Sequence, residues 1–484
     1  MTTITTSAFD TWGLVIWFAV LSLMMLFGNV IRRKFKFLRN LLFPTAIIAG
    51  FLGLGIKYVW YYLPEIINFL FSGYTSDILE AIKPNVISFN NFLQVITYHA
   101  LALGFIAMSL KSVKDKKTNK YKGKPVKSGL LIVNTYLLQG IIGILLTVVI
   151  GLVFSSVAGY SGLLLPLGFG QGPGQANNIG GIFESNGFMG GQAFGLAIAT
   201  IGFVWASVAG VYYINKRAKE GVIKRVDSSQ FASNESDQLE DKHEIPVSEA
   251  IDKMSIQIIF IFVVYAMAWV FMTLITSLIG NNSNFQQSMV SLIWGFNFIF
   301  AMLFGTLFKM GLKFVTYKGW MKRKYTNEYM LNRLSGVLFD FMVVASLMSI
   351  NVEALLDTGL IVALLIITTV GGLSTYFYLA YTTKRIYPDY PHQAFATMFG
   401  NLTGTAPNGI ALLREIDPNF DTPAADNLVT GSSTAVMFGA PVLIITGIIY
   451  LPGWYYLWGS LFAMIVFFII FNYFMLRKDK KQEN

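Results

Sequence analysis

Cysteine is missing altogether from the 484 residues. Its absence rules out disulfides, thiolate metal sites and a lipid-modified N-terminal cysteine. Charge is scarce too: Asp, Glu, Lys and Arg make up 13% of the chain, against roughly 25% in a soluble domain. Histidine occurs only at His99, His243 and His392, and there is no HExxH, GxGD or Walker run. Gly431-Ser432-Ser433 does not make a nucleophile elbow. Metalloenzyme, hydrolase and ATP-driven pump are therefore disfavoured, and the chain is expected to be no enzyme and to need no cofactor. Period-two alternation of apolar and polar residues is also lacking, which speaks against an outer-membrane barrel. The opening MTTITTSAFD has no basic stretch and no small-residue cleavage site, so the first apolar segment is expected to be retained.

Apolar residues are abundant, at 54% of the chain with a mean hydropathy of +0.57. They fall into eleven blocks near 11–31, 41–62, 91–110, 129–157, 192–215, 254–279, 285–308, 334–352, 357–381, 428–450 and 453–476. Each block is long enough for a bilayer core of roughly 30 Å. An all-α polytopic membrane protein follows, in contact with lipid along most of its length.

The net charge of +10 is a topology signal rather than a nucleic-acid footprint. With the N-terminus outside and alternating spans, 33 of the 36 Lys and Arg fall on the inside, as the positive-inside rule requires. Lys57 and Lys83 fall outside, and Arg414 lies in a segment of its own. Residues 216–253 are rich in Ser and charge and read as a cytoplasmic linker. The linker divides an N-terminal unit, 1–215, from a C-terminal unit, 254–452, with one extra span and a tail at 453–484. Residues 63–90 form the largest outside loop, with a short interfacial helix expected at 75–82. The C-terminus is expected inside, and the location is the cell inner membrane.

Two segments fit neither span nor ordinary loop. PLGFGQGPGQANNIGGIFESNGFMGG (166–191) and MFGNLTGTAPNGIALLREIDPNF (398–420, in a hairpin near 392–420) are Gly-rich and moderately apolar, and each follows the fourth span of its half. FGQGPGQANN (169–178) aligns without a gap on FGNLTGTAPN (399–408), with five identities at a constant offset of 230. Met108-Ser109-Leu110 and Met348-Ser349-Ile350 echo the same repeat. Five spans per half place the second copy upside down relative to the first, which is the inverted repeat of many secondary transporters. The two segments are then re-entrant hairpins whose free backbone groups are tolerated at membrane depth only where they line a cavity or bind something. Free N–H groups suit a carboxylate, and free carbonyls and hydroxyls suit a sodium ion. The expected tips bring Gln171, Gly172, Gly174, Gln175 and Asn178 towards Asn401, Thr403, Gly404, Thr405 and Asn408. Substrate contacts are assigned to Gln171, Gly172, Gly174, Gln175, Asn178, Gly404, Thr405 and Asn408, and ion contacts to Thr403, Asn401 and Asp340.

These stretches resemble the bacterial sodium/glutamate symporters across most of the chain. QGPGQANN followed by NGF…GLAIATIGFV (186–204) is similar to that family's first Gly-rich loop and the stretch after it. Gly404-Thr405-Ala406-Pro407-Asn408-Gly409 is similar to its second loop, and the Phe43–Gly50 run to the start of its second span. The resemblance implies a homodimeric elevator-type symporter that takes up glutamate or a related small organic anion with sodium as coupling ion. Three features depart from the family: Pro173 or its neighbour stands where the first loop has a histidine, the chain is longer, and an eleventh span follows the usual ten.

Other polar residues carry competing readings. Asp340, inside the eighth block, costs roughly 2.5–3.5 kcal/mol to insert and so marks a functional site by default. His99 sits at nearly the matching place in the third block. Ion coordination, a proton-linked gate and a plain buried hydrogen bond all fit this pair. Glu184 and Arg414, about ten residues beyond the tips, are expected at the interfaces by snorkelling. Asn134, Gln139 and Gln192 suit interhelical hydrogen bonds. A proton-coupled carboxylate carrier and, further off, an ion channel are the alternatives to sodium symport.

Overall fold

The computed structural model describes residues 8–40, 42–70, 77–111, 124–223, 252–280, 283–320, 323, 325–418 and 421–477. Among them every regular element is a helix. The N-terminal half holds α1 (Ala8–Lys34), α2 (Lys36–Asn40), α3 (Thr45–Tyr61), α4 (Leu63–Leu70), α5 (Asp77–Leu110), α6 (Pro125–Gly151), α7 (Leu164–Gly170), α8 (Pro173–Ser185) and α9 (Gly191–Lys219). The C-terminal half holds α10 (Lys253–Ile279), α11 (Asn284–Gly295), α12 (Asn297–Tyr317), α13 (Glu328–Met348), α14 (Thr358–Ile386), α15 (Pro391–Thr403), α16 (Ala406–Arg414), α17 (Ala424–Phe438) and α18 (Ala440–Ile448), followed by α19 (Trp454–Leu476).

Among the described residues, nine helices are long and apolar enough to cross a membrane: α1, α5, α6, α9, α10, α12, α13, α14 and α19. The α3–α4 pair, bent by 49°, makes a tenth if taken as one span. The block at 428–450 is the one that does not become a long helix. It breaks into α17 and α18 at Gly439, where Pro441 in the next first turn cannot donate to the preceding turn. The block at 285–308 is also interrupted, at Phe296, and its span shifts forward into α12. The interfacial helix expected at 75–82 is instead continuous with the span after it, since α5 runs from Asp77 and accommodates Pro84 near its start. Positions 75 and 76 lie outside the described residues, as does most of the linker.

The helices pack in two groups. One comprises α1, α3, α5, α10, α12 and α13. The other comprises α6 to α9, α14 to α17 and α19. In the first group α5 and α13 lie side by side, with α12 on α5 and α3 on α13. Close approach depends on small residues: Gly50 and Gly53 of α3 receive Leu347 and Met348 of α13, and Gly104 of α5 receives Phe339. Lys57, buried near the end of α3, donates to Asn90 Oδ1 (3.2 Å) and to the Ile350 carbonyl (3.0 Å), binding α3, α5 and the C-terminal end of α13 together. A cation suits the negative end of a helix. The seam between the groups is formed by α8 against α5, α11 and α13, and α11 continues onto α18.

Candidate functional site

Each Gly-rich segment folds as two short helices joined by a sharp turn. In the first, α7 ends at Gly170, and Gly172 turns the chain at φ +85°, a left-handed value that glycine adopts without penalty. Pro173 then opens α8, where its missing N–H costs nothing. In the second, α15 ends at Thr403, the turn is Gly404-Thr405, and α16 carries Pro407 in its first turn. The two turns meet: a Cβ on Gly172 would lie 3.3 Å from Thr405 Cγ2 and 4.0 Å from the Gly404 carbonyl oxygen. The 13 residues of α8 and of α15 rise about 20 Å each, and most of them are buried.

The two kinds of helix end at the tips are treated differently. The carbonyl ends are taken up by α6, whose Tyr136 hydroxyl donates to the Gly170 carbonyl (3.0 Å) and whose Gln139 Nε2 donates to the Leu402 carbonyl (2.9 Å) and to Thr375 Oγ1 (3.0 Å). The N-terminal ends of α8 and α16 have no side-chain cap. Their first-turn N–H groups, at Gly174, Gln175, Ala406 and Asn408, lack an acceptor within the helix. Gln175 and Asn408 both occupy the third helical position after the turn. Asn408 is held by the Thr405 hydroxyl, 2.9 Å from its Oδ1. Gln175 has no such neighbour, because Gly172 stands where Thr405 stands in the other hairpin. It is 1% exposed, and neither its Nε2 nor its Oε1 has a partner.

One helix positions both tips. Along α9, Gly191 and Gly195 receive the backbone of α8 at Gly180 and Ala176, while Gly202 meets the Thr403 carbonyl, Ala206 abuts Gly404 and Gly210 receives Leu412. Small residues at these spacings allow the backbones to approach closely, as they do in membrane helix pairs. Beside the second tip, Leu42, Ala206, Ser207, Asn408 and Leu412 line a crevice too narrow to hold a water molecule, and the buried Ser207 hydroxyl has no partner.

At the seam Gly174 packs on Leu101 of α5 and Met342 of α13. A row of amides runs alongside. Gln94 Nε2 donates to Gln192 Oε1 (3.1 Å), Gln192 Nε2 to Asn177 Oδ1 (2.8 Å), and Asn177 Nδ2 to Asn178 Oδ1 (3.4 Å). Asn178 Nδ2 then donates to the Gly295 carbonyl (3.2 Å) at the break between α11 and α12.

The expected site residues therefore divide. Gln171, Gly172, Gly174 and Gln175 lie at the first tip, and Thr403, Gly404, Thr405 and Asn408 at the second, with Asn401 buried just before it. The Thr403 hydroxyl donates to the Phe399 carbonyl (2.7 Å) and keeps its lone pairs. Asn178 is turned to the seam rather than to the other tip. Asp340 is exposed and about 200° round α13 from Met342, so it does not reach the tips. His99 Nδ1 is paired with the Tyr265 hydroxyl (2.7 Å). Glu184 accepts from the Gln192 N–H (3.0 Å). The offset of 230 also misregisters the tips, because Gln175 and Asn408, not Asn178 and Asn408, share a position past the turn. Tyr136 and Ser207 carried no sequence signal. The small-residue spacing of α9 did carry one.

Outside the spans, Asp357 caps α14. Its Oδ1 accepts from the Ser156 hydroxyl (2.6 Å) and the Leu360 N–H (3.0 Å), and these bonds hold its carboxyl below the usual range. Neither a family model nor a curated protein matches the chain.

Proposed function

We propose that the protein is a secondary active transporter of the inner membrane that couples sodium to the uptake of a small organic anion, glutamate in the family the sequence resembles. The observation that carries this reading is the meeting of two helix N-termini without side-chain caps, Gly172–Gln175 and Thr405–Asn408, deep among apolar helices. Such ends bind carboxylates. The hydroxyl and carbonyl oxygens at Thr403, Thr405 and Asn401 suit a sodium ion.

An inverted repeat is supported by how the helices pair. The α1–α3 contact has its counterpart in α10–α12, α3–α13 in α12–α5, and α6–α7 in α14–α15. Alternating access of the elevator type is supported by the division into two groups, only one of which carries the hairpins. In this reading that group shifts along the α5–α13 wall, the first hairpin opens outwards and the second inwards, and a dimer forms through the other group. Neither a catalytic role nor a resident cofactor enters the proposal.

Uptake by the purified chain in proteoliposomes tests it. Accumulation should require an inward sodium gradient and vanish when choline replaces sodium. Equal uptake in choline would turn the reading towards proton coupling, and non-saturable flux would turn it towards a channel.

A further inference from the structure

We propose that Leu42, in the turn between α2 and α3, is the stopper of the second hairpin tip. It closes the crevice beside Asn408 and Ser207, and its withdrawal opens that tip to water on the inner face. The inference deepens the carrier reading and rests on it.

The turn carries the first observation. Leu42 has φ +56° and is, among the described residues, the one residue other than glycine with a positive φ. The Phe43 N–H donates to the Leu38 carbonyl (3.3 Å), which closes the C-terminal end of α2 over six residues. In such a closure the left-handed position falls on Leu42, where glycine is the usual residue. A side chain with a Cβ is strained there. Strain of this kind persists only where the surroundings hold it, and it gathers at switch regions.

The second hairpin is what holds it. Leu42 packs on the small apolar cluster to which α9 contributes Val211, α15 Ala396 and α16 Leu412. It also walls the crevice beside Asn408, which admits no water. Under this cover the Ser207 hydroxyl is buried without a partner, a state that costs free energy. The strained turn and the dry hydroxyl are separate costs, and one movement relieves both: Leu42 leaves, the turn relaxes, and water reaches Ser207 and Asn408. The turn leads into α3, which with α1 packs in the group without hairpins. Sliding of the hairpin-bearing group, as the carrier reading requires, draws the second tip away from Leu42.

The test uses the full, naturally cysteine-free chain. In inside-out vesicles Ser207→Cys should react slowly with a membrane-impermeant thiol reagent. Adding Leu42→Gly, which suits the left-handed turn and removes the stopper, should speed that reaction about tenfold, while Ser128→Cys, at a buried position of α6, stays unreactive. Should Leu42→Gly not reach the membrane, Leu42→Asn, which also tolerates the turn, carries the same expectation. An unchanged rate overturns the inference, and so does equal acceleration at Ser128→Cys, which marks general loosening. In proteoliposomes under a sodium gradient, joining Leu42→Cys to Leu412→Cys with a short cleavable thiol reagent should cut uptake of labelled L-glutamate, L-aspartate or succinate about tenfold, and cleavage should restore it. Undiminished uptake after quantitative joining overturns the stopper and leaves the carrier reading standing. Absence of gradient-driven uptake of all three anions by the unsubstituted chain removes the carrier reading and the stopper with it.

Discussion

At Gly404 the space for a side chain is nearly closed. A Cβ there would stand 3.0 Å from Asn408 Nδ2, 3.1 Å from Ala206 Cβ and 3.1 Å from the Gly400 carbonyl, so the second tip must give by a few tenths of an ångström. Gly404→Ala should therefore keep the fold and lower uptake by about tenfold, since small displacements at a binding position are expensive. Gly180→Ala would bring a Cβ to 2.5 Å from the Gly191 carbonyl and should disturb the packing of α8 on α9. Gly181 has nothing within 4 Å. Gly181→Ala should leave uptake unchanged and stabilise the chain by about 0.4–1 kcal/mol, read as a small rise in Tm in detergent. Tyr136→Phe leaves the Gly170 carbonyl without its donor and should cost about 1 kcal/mol in the same measurement. These residues differ in how far the sequence announces them. The glycines and amides of the tips stand out because they interrupt apolar runs. The partners that hold the tips, Tyr136 and Gln139, sit in one span, 34 residues from Gly170 and 263 from Leu402 respectively; Gln139 stands out as an amide suited to an interhelical bond, but nothing local marks Tyr136 or ties either residue to a tip.

Helix ends set the next level. Asp357 starts α14 and joins it to the loop after α6 through Ser156. Asp357→Ala should lower stability by about 1 kcal/mol, the usual worth of an N-cap. Its carboxyl is depressed in the folded state, so its contribution is complete above the unfolded value of about pH 4 and is lost as pH falls through the lower folded value. The Tm difference between the wild type and Asp357→Ala should accordingly be constant near neutral pH and shrink below about pH 4. Most spans were legible because a run of Leu, Ile, Val and Phe has few other uses than crossing a bilayer. The breaks were less so. Pro441 and Gly439 were visible within 428–450, yet apolar length alone cannot say whether a Gly-Ala-Pro run bends a helix or ends it. The break at Phe296 has no proline or paired glycines, and it arises where α11 turns to meet α8 and α18. The extension of α5 back to Asp77 was hidden by its polar residues, which hydropathy assigns to a loop.

For the whole molecule, orientation and movement can be tested on the same naturally cysteine-free chain. Ser185→Cys, at the C-terminal end of α8, should label from outside the cell. Asp389→Cys, between α14 and α15, and Ser229→Cys should label only from inside. Labelling of Ser229→Cys from outside would reverse the proposed topology. The amide pair Gln94 and Gln192 joins the two helix groups across 3.1 Å. Cysteines placed at both positions and linked by a short bifunctional thiol reagent should stop uptake, with activity restored when a cleavable linker is cut. Undiminished uptake after quantitative linking would exclude sliding along this seam.

Helix α9 is a spindle that indexes both tips. It is unbroken from Gly191 to Lys219, and its N-terminal half seats one hairpin while its C-terminal half seats the other. In the proposed repeat its counterpart, α17 with α18, is interrupted at Gly439. Substitution by another small residue changes the fit of one tip only. Insertion of a single alanine between Ile198 and Gly202 would instead turn one half by about 100° against the other and withdraw one set of glycine contacts wholesale. The helix should thus accept changes of content far more readily than changes of length, a phase constraint that no individual contact at either tip would reveal.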